Sequence, residues 1–239
     1  MLCASDPNSQ PEELRRRGTA KIGLGDFAGA IEDWDLVLQL EPQNAEVLTM
    51  RGKGKRELGD FAGAIEDWDL VLQLEPQNAE VLTMRGKGKR ELGDFAGAIE
   101  DWDLVLQLEP KNAEVLTMRG GGKMELGDFA GAMADLDLVL QLEPKNAIAL
   151  KIRGLAKMVF CDFAGAIEDW DLALQLEPAN AEVLAMRGGA KMVLFDFAGA
   201  IEDFDLVLAL EPQNAEVLTM RGKAKRELGD FARAIEDLR

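Results

Sequence analysis

Histidine and tyrosine are absent from all 239 residues. Without histidine the commonest general base is missing, and most nucleophilic triads with it, so an enzyme is not expected. The two cysteines, Cys3 and Cys161, stand in unrelated contexts, a polar leader and a turn. That spacing gives neither a disulfide framework nor a metal site, and it points to the cytoplasm or another reducing intracellular compartment. Base is scarce: 27 Lys and Arg face 44 Asp and Glu, for a net charge of −17. Broad nucleic-acid binding needs the opposite balance and is not expected. No apolar run approaches the roughly 18 residues of a membrane span. The opening MLCASDPNSQ also lacks the basic segment and apolar core of a secretory signal.

What the chain does have is one phrase, repeated. GDFAGAIEDWDLVLQLEP occurs letter for letter at 25–42, 59–76 and 93–110. Looser copies occupy 127–144, 161–178 and 195–212, and a cut-off copy begins at Gly229, always 34 residues after the last. A fixed period of this size marks a stacked repeat array. Within the phrase Phe61, Ala64, Ile65, Trp68, Val71 and Leu72 recur at the three- and four-residue steps of one helical face. Asp60 is placed to cap that helix, and Pro76 stops it. Between phrases lies a second helical stretch, AEVLTMRGKGKREL (Ala45–Leu58), with Asn44 as its cap and Glu46 in its first turn. Each unit is thus two helices and two short turns. The expected layout is a frayed leader over 1–10 and one domain over 11–239, opening on Pro11 in a first helical turn. Its repeats are 11–44, 45–78, 79–112, 113–146, 147–180, 181–214 and a partial 215–239.

Leu48, Gly52, Gly59, Asp60, Phe61, Ala64, Trp68 and Pro76 carry a resemblance to the tetratricopeptide repeat. The Arg-Gly pair with a later Ile-x-Asp-aromatic-Asp resembles a sub-variant of that family. The chain departs from it at Leu48, where Trp or Tyr is usual, and at Arg51, Lys55 and Val71, where Leu, Tyr and Ala are usual. The resemblance implies an all-α, right-handed α-solenoid of about seven helix-turn-helix units, the last truncated. It implies that first helices line a concave surface and second helices a convex back. It also implies a non-enzymatic protein–protein interaction scaffold that holds a peptide or helix of a partner in its concave groove. The family's carboxylate-clamp members need Lys and Asn on successive first helices. Thr49, Met50 and Lys53 stand in those slots here, so co-chaperone activity is not expected.

The family's concave positions supply the candidate partner-binding residues. Copies two and three place Lys53, Arg56, Lys87 and Arg90 there, a mostly basic patch. Copies four to six place Met118, Met124, Ile152, Leu155, Met158, Val159, Met186, Met192 and Val193, an adaptable apolar groove or positions that pack within the solenoid. A partner segment with an acidic end and an apolar end suits both. A ladder of Arg17, Arg51, Arg85, Arg119, Arg153, Arg187 and Arg221, each with a Lys four residues later, has two readings. It is a set of structural pairs to Asp33, Asp67, Asp101, Asp135, Asp169 and Asp203, or a cationic reader of an acidic ligand. Gly120-Gly121-Gly122-Lys123 lacks the Ser or Thr and the leading glycine of a phosphate loop, and no cofactor is expected. Two other readings remain open: a superhelical array that self-associates end to end through the uncapped last repeat, and a designed array of near-identical copies without a natural partner.

Overall fold

The computed structural model describes residues 9–237. Asp60 accepts from the Gly63 amide at 2.9 Å and opens one helix, and Asn44 accepts from the Val47 amide at 3.1 Å and opens the one before it. The same two caps recur along the chain and divide it into pairs. Fourteen helices result among the described residues, and the fold is all-α. They are α1 (Ser9–Gly23), α2 (Phe27–Leu40), α3 (Ala45–Glu57), α4 (Phe61–Leu74), α5 (Ala79–Glu91), α6 (Phe95–Leu108) and α7 (Ala113–Glu125). After them come α8 (Phe129–Leu142), α9 (Ala147–Val159), α10 (Phe163–Leu176), α11 (Ala181–Val193), α12 (Phe197–Leu210), α13 (Ala215–Glu227) and α14 (Phe231–Asp237). The first helix begins at Ser9, two residues ahead of Pro11, so Ser9 and Gln10 belong to it rather than to a leader. Pro11 is tolerated there because first-turn amides lack intrahelical acceptors anyway. Residues 1–8 of the expected leader, and Cys3 with them, lie outside the described residues.

The turn inside each repeat closes backwards. The Asp60 amide donates to the Lys55 carbonyl at 2.9 Å across Gly59, whose φ of +80° is left-handed. Cys161 and Phe195 take the same turn at φ +59° and +62°, a conformation that strains a side chain bearing Cβ. Between repeats the Glu75–Asn78 turn is held by the Asn78 side-chain amide donating to the Glu75 carboxylate at 2.7 Å.

Ala64, Trp68 and Val71 of α4 are fully buried, and Val47 and Leu48 of α3, the helix it packs on, are buried too. Gly52 lets α3 come that close: a Cβ there would lie 2.5 Å from Trp68 Nε1. The chain divides into two compact units, one running to Val115 and the other starting at Leu116, so the boundary falls within α7. In the first unit the hairpins α1–α2, α3–α4 and α5–α6 stack, with α2 packed on α3 and α4 on α5. In the second unit α8 packs on α9, α10 on α11 and α12 on α13 by the same rule.

Candidate functional site

Arg51 sits at the centre of the most regular polar feature. Its Nε and one terminal nitrogen fork onto Asp67 at 2.9 and 2.5 Å, and its other terminal nitrogen donates to Asp35 at 2.6 Å. Asp67 lies 16 residues ahead on α4 and Asp35 16 residues behind on α2, so one guanidinium ties two successive second helices together. Arg85, Arg153, Arg187 and Arg221 repeat this double bond, and Arg17 forks onto Asp33 alone among the described residues. Lys55 adds a third contact to Asp67 at 3.0 Å and donates to the Gly63 carbonyl at 3.2 Å. The Asp67 carboxylate is almost wholly buried. The Asp67 hydrogen bonds raise the Arg51 pKa above its ordinary value, and the Arg17 hydrogen bonds lower that of Asp33 below the usual carboxylate range. The ladder is therefore structural: its donors are spent inside and between repeats. Sequence reading found the Asp67 partners but missed that Asp69 reaches forward to Arg85; the signal was the equal 16-residue spacing on both sides of each arginine.

In the first unit the expected basic patch is neutralised. Lys53 pairs with Glu80 of the next first helix at 2.7 Å, and Lys87 with Glu114 at 2.6 Å. Arg56 and Arg90 turn onto their own neighbours, Glu57 and Glu91. These are exposed pairs, which hold little energy but leave no free cation at those four positions.

The second unit contains the whole apolar set. Leu155, Met158, Met186 and Met192 pack against a core of Leu150, Trp170, Leu184 and Phe204, so each is half structural and half surface. Met118, Met124 and Ile152 are half-buried as well, whereas Val159 and Val193 are about half exposed. A Cβ on Gly121 would meet only Ile152, at 3.9 Å, so this face is open beside α9. The turn residues next to the valines, apolar in the sequence but not among the candidate residues, extend this face. Phe160, Leu194 and Phe195 are exposed, Phe195 by 79%, and Phe195 stands edge-on to Phe197 with ring centres 6.0 Å apart. They occupy the Leu-Gly slots of other repeats, a substitution visible in the sequence. Cys161 is free and exposed. Among the described residues no group of His, Cys, Asp or Glu is arranged to hold a metal ion, and no helix is long and apolar enough to cross a membrane.

Solved structures share this arrangement. A tetratricopeptide repeat protein from Parabacteroides merdae superposes with a TM-score of 0.78 at 22% identity, covering 96% of this chain and 91% of that one. The fold is that of a tetratricopeptide-repeat protein. MamA is similar over 66% of this chain and 87% of its own, at 25% identity and a TM-score of 0.63. PilW, a type IV pilus biogenesis factor, is similar over 81% and 90%, at 21% and 0.70. No family model matches the sequence, and no curated protein matches it. Against the usual tetratricopeptide pattern, Arg51 at the centre of this network stands where the family places Leu. The repeats here are joined by charge as well as by packing.

Proposed function

We propose that this chain is a non-enzymatic interaction scaffold in a reducing intracellular compartment, and that a peptide or helix of a partner protein docks on its first helices. The observation that carries the reading is the second unit's apolar face. There Val159 and Val193 take the slots that hold Glu57 and Glu91 in repeats two and three, yet remain about half exposed. Exposed apolar side chains grouped in this way favour a binding site, and the neighbouring methionines adapt to varied shapes. An acidic stretch in the partner competes with Glu80 and Glu114 for Lys53 and Lys87, so its charge tunes on-rate more than affinity.

Capture of a partner by the intact chain, repeated with Val159→Lys plus Val193→Lys and with Lys53→Glu plus Lys87→Glu, tests this. The valine pair is expected to abolish capture while circular dichroism stays unchanged, and the lysine pair to slow association. Normal binding by both variants would place the site elsewhere. Leu155 and Met192 are poorer probes, because a charge there also disturbs the core.

End-to-end self-association is favoured by a separate observation. Phe231 and Ile235 of α14 are 62% and 55% exposed, while the equivalent Ile31 lies against the next repeat at Gly54. Light scattering that shows a concentration-dependent mass, lost in Ile235→Lys, would support that reading over the scaffold.

A further inference from the structure

The first helices are not the only unpartnered surface. On α4, Ala62, Glu66, Leu70 and Leu74 follow at four-residue steps and all are exposed. The same outward stripe occurs on α2 as Ala28, Glu32, Leu36 and Leu40, and on α6 as Ala96, Glu100, Leu104 and Leu108. The six leucines are between 43% and 58% exposed. The three helices are tied side by side, because Arg51 touches both α2 and α4, and Arg85 both α4 and α6. The stripes therefore align into rows running across the helices. One row is Glu32, Glu66 and Glu100; the next is Leu36, Leu70 and Leu104; the third is Leu40, Leu74 and Leu108. Successive rows lie about 6 Å apart, four residues of helical rise.

The acidic row is free. No hydrogen bond or ion pair engages Glu32, Glu66 or Glu100 among the described residues, whereas the neighbouring Asp35 and Asp69 are held by arginines. An acidic margin beside two apolar rows is what separates this face from the first-helix face, where the charges are compensated.

We propose that this second-helix face of the first unit docks a basic amphipathic helix of another protein. Its apolar stripe would lie along the leucine rows, and Lys or Arg on one edge would reach the glutamates. From α2 over α4 to α6 there are two helix spacings of at least about 10 Å, a span of about 20 Å or more that needs at least about 13 residues of helix. Charge selects the occupant. A second copy would bring acid against acid on a chain of net charge −17, and an anionic lipid surface would be repelled for the same reason.

The test uses the full chain and a labelled peptide of about 18 residues, with leucines on one face and lysines along one edge. A second peptide keeps the leucines and replaces lysine by glutamate. Fluorescence anisotropy is expected to show binding of the lysine peptide only, weakening steeply with added salt. Glu32→Gln with Glu66→Gln and Glu100→Gln is expected to weaken it about tenfold and to flatten the salt dependence. Leu36→Gln with Leu70→Gln and Leu104→Gln is expected to weaken it at least about tenfold at unchanged helicity. Val159→Lys with Val193→Lys should leave it untouched, which separates this face from the one proposed above. Equal binding of the glutamate peptide would overturn the proposal. So would loss with the glutamate variants alone, which is unspecific charge attraction. Leucine variants that instead abolish self-association in light scattering, or adsorption to phosphatidylserine vesicles, would assign the face to a second copy or to a membrane and overturn it equally.

Discussion

Gly52 and Gly54 stand two residues apart in α3, and replacing each by alanine should move stability in opposite directions. Both substitutions remove a glycine from a helix interior, which alone is stabilising by about 1 kcal/mol. The surroundings decide the rest. At Gly54 the new Cβ would lie 3.3 Å from Ile31 Cγ1 and 3.4 Å from Trp34 Cζ3, close enough to need a shift of a few tenths of an ångström. The chain already makes that substitution, since Ala156, Ala190 and Ala224 fill the same slot in later repeats and are fully buried. At Gly52 the Cβ would fall 2.5 Å from Trp68 Nε1 and 2.9 Å from Cε2, and the indole is sealed in the core with nowhere to go. Overpacking of that kind costs about 1–3 kcal/mol. Gly54→Ala should therefore stabilise by up to about 1 kcal/mol, and Gly52→Ala should destabilise by up to about 2 kcal/mol.

Stacked repeats open locally, so a global midpoint alone is a blunt probe. Urea titration followed by circular dichroism should be paired with native-state hydrogen exchange of the α3 and α4 amides. Gly120→Ala supplies an internal control, because its Cβ would lie 3.2 Å from Leu136 Cγ and 3.5 Å from the Ala132 carbonyl oxygen, a milder crowding than at Gly52, and it should fall between the two. Shifts of the same sign and size at Gly52 and Gly54 would refute the packing argument and leave only propensity.

Trp68 Nε1 is buried without an acceptor while Trp170 Nε1 donates to the Lys151 carbonyl at 3.2 Å, so Trp68→Phe should cost less than Trp170→Phe by about 1 kcal/mol in urea titration. Cys161→Gly should stabilise by about 1 kcal/mol in the same assay, since it relieves a left-handed φ of 59° that other repeats give to glycine. Asp33 is more acidic folded than unfolded, so its contribution is intact above about pH 4 and is lost as pH falls through the lowered folded pKa; Asp33→Asn should lose less stability than the wild type as pH falls below about 4. Arg85→Met and Asp101→Asn should each destabilise, by less than the about 3 kcal/mol of a fully stranded buried charge because Asp101 keeps Lys89 and Arg85 keeps Asp69, and the double variant should recover part of the loss; strict additivity in that cycle would rule out direct pairing.

The features legible in the sequence were those set by neighbours within one repeat. Asp60 and Asn44 cap because their side chains reach amides three residues on, and Trp68 is buried because it lies on the periodic face. The 34-residue step fixed the pairing of Arg51 with Asp67 for the same reason. What depended on stacking was harder to see. Lys53 meets Glu80 only after α3 lies beside α5, 27 residues later, so a row of lysines read as a basic surface becomes a row of pairs. The run Leu70-Val71-Leu72 looks uniformly apolar in sequence. Only the helical step sorts Val71 and Leu72 to the core and leaves Leu70 outside, where its row on α2, α4 and α6 becomes visible.

The Arg-Asp ladder explains why the two faces of this repeat differ in what they offer a partner. A guanidinium presents a fixed fork, so one carboxylate satisfies two of its donors and a second carboxylate the third direction. Each full arginine uses both, one aspartate from its own repeat and one from the repeat before. That arrangement consumes the cations of the first helices and the aspartates of the second in equal step. It does not touch Glu32, Glu66 or Glu100, which immediately precede the buried Asp33, Asp67 and Asp101 but face outward on the exposed stripe. The acidic excess of the chain is thereby concentrated where no base answers it. A partner for that surface must bring its own positive charge, and a partner for the first-helix surface of the second unit must bring apolar side chains instead.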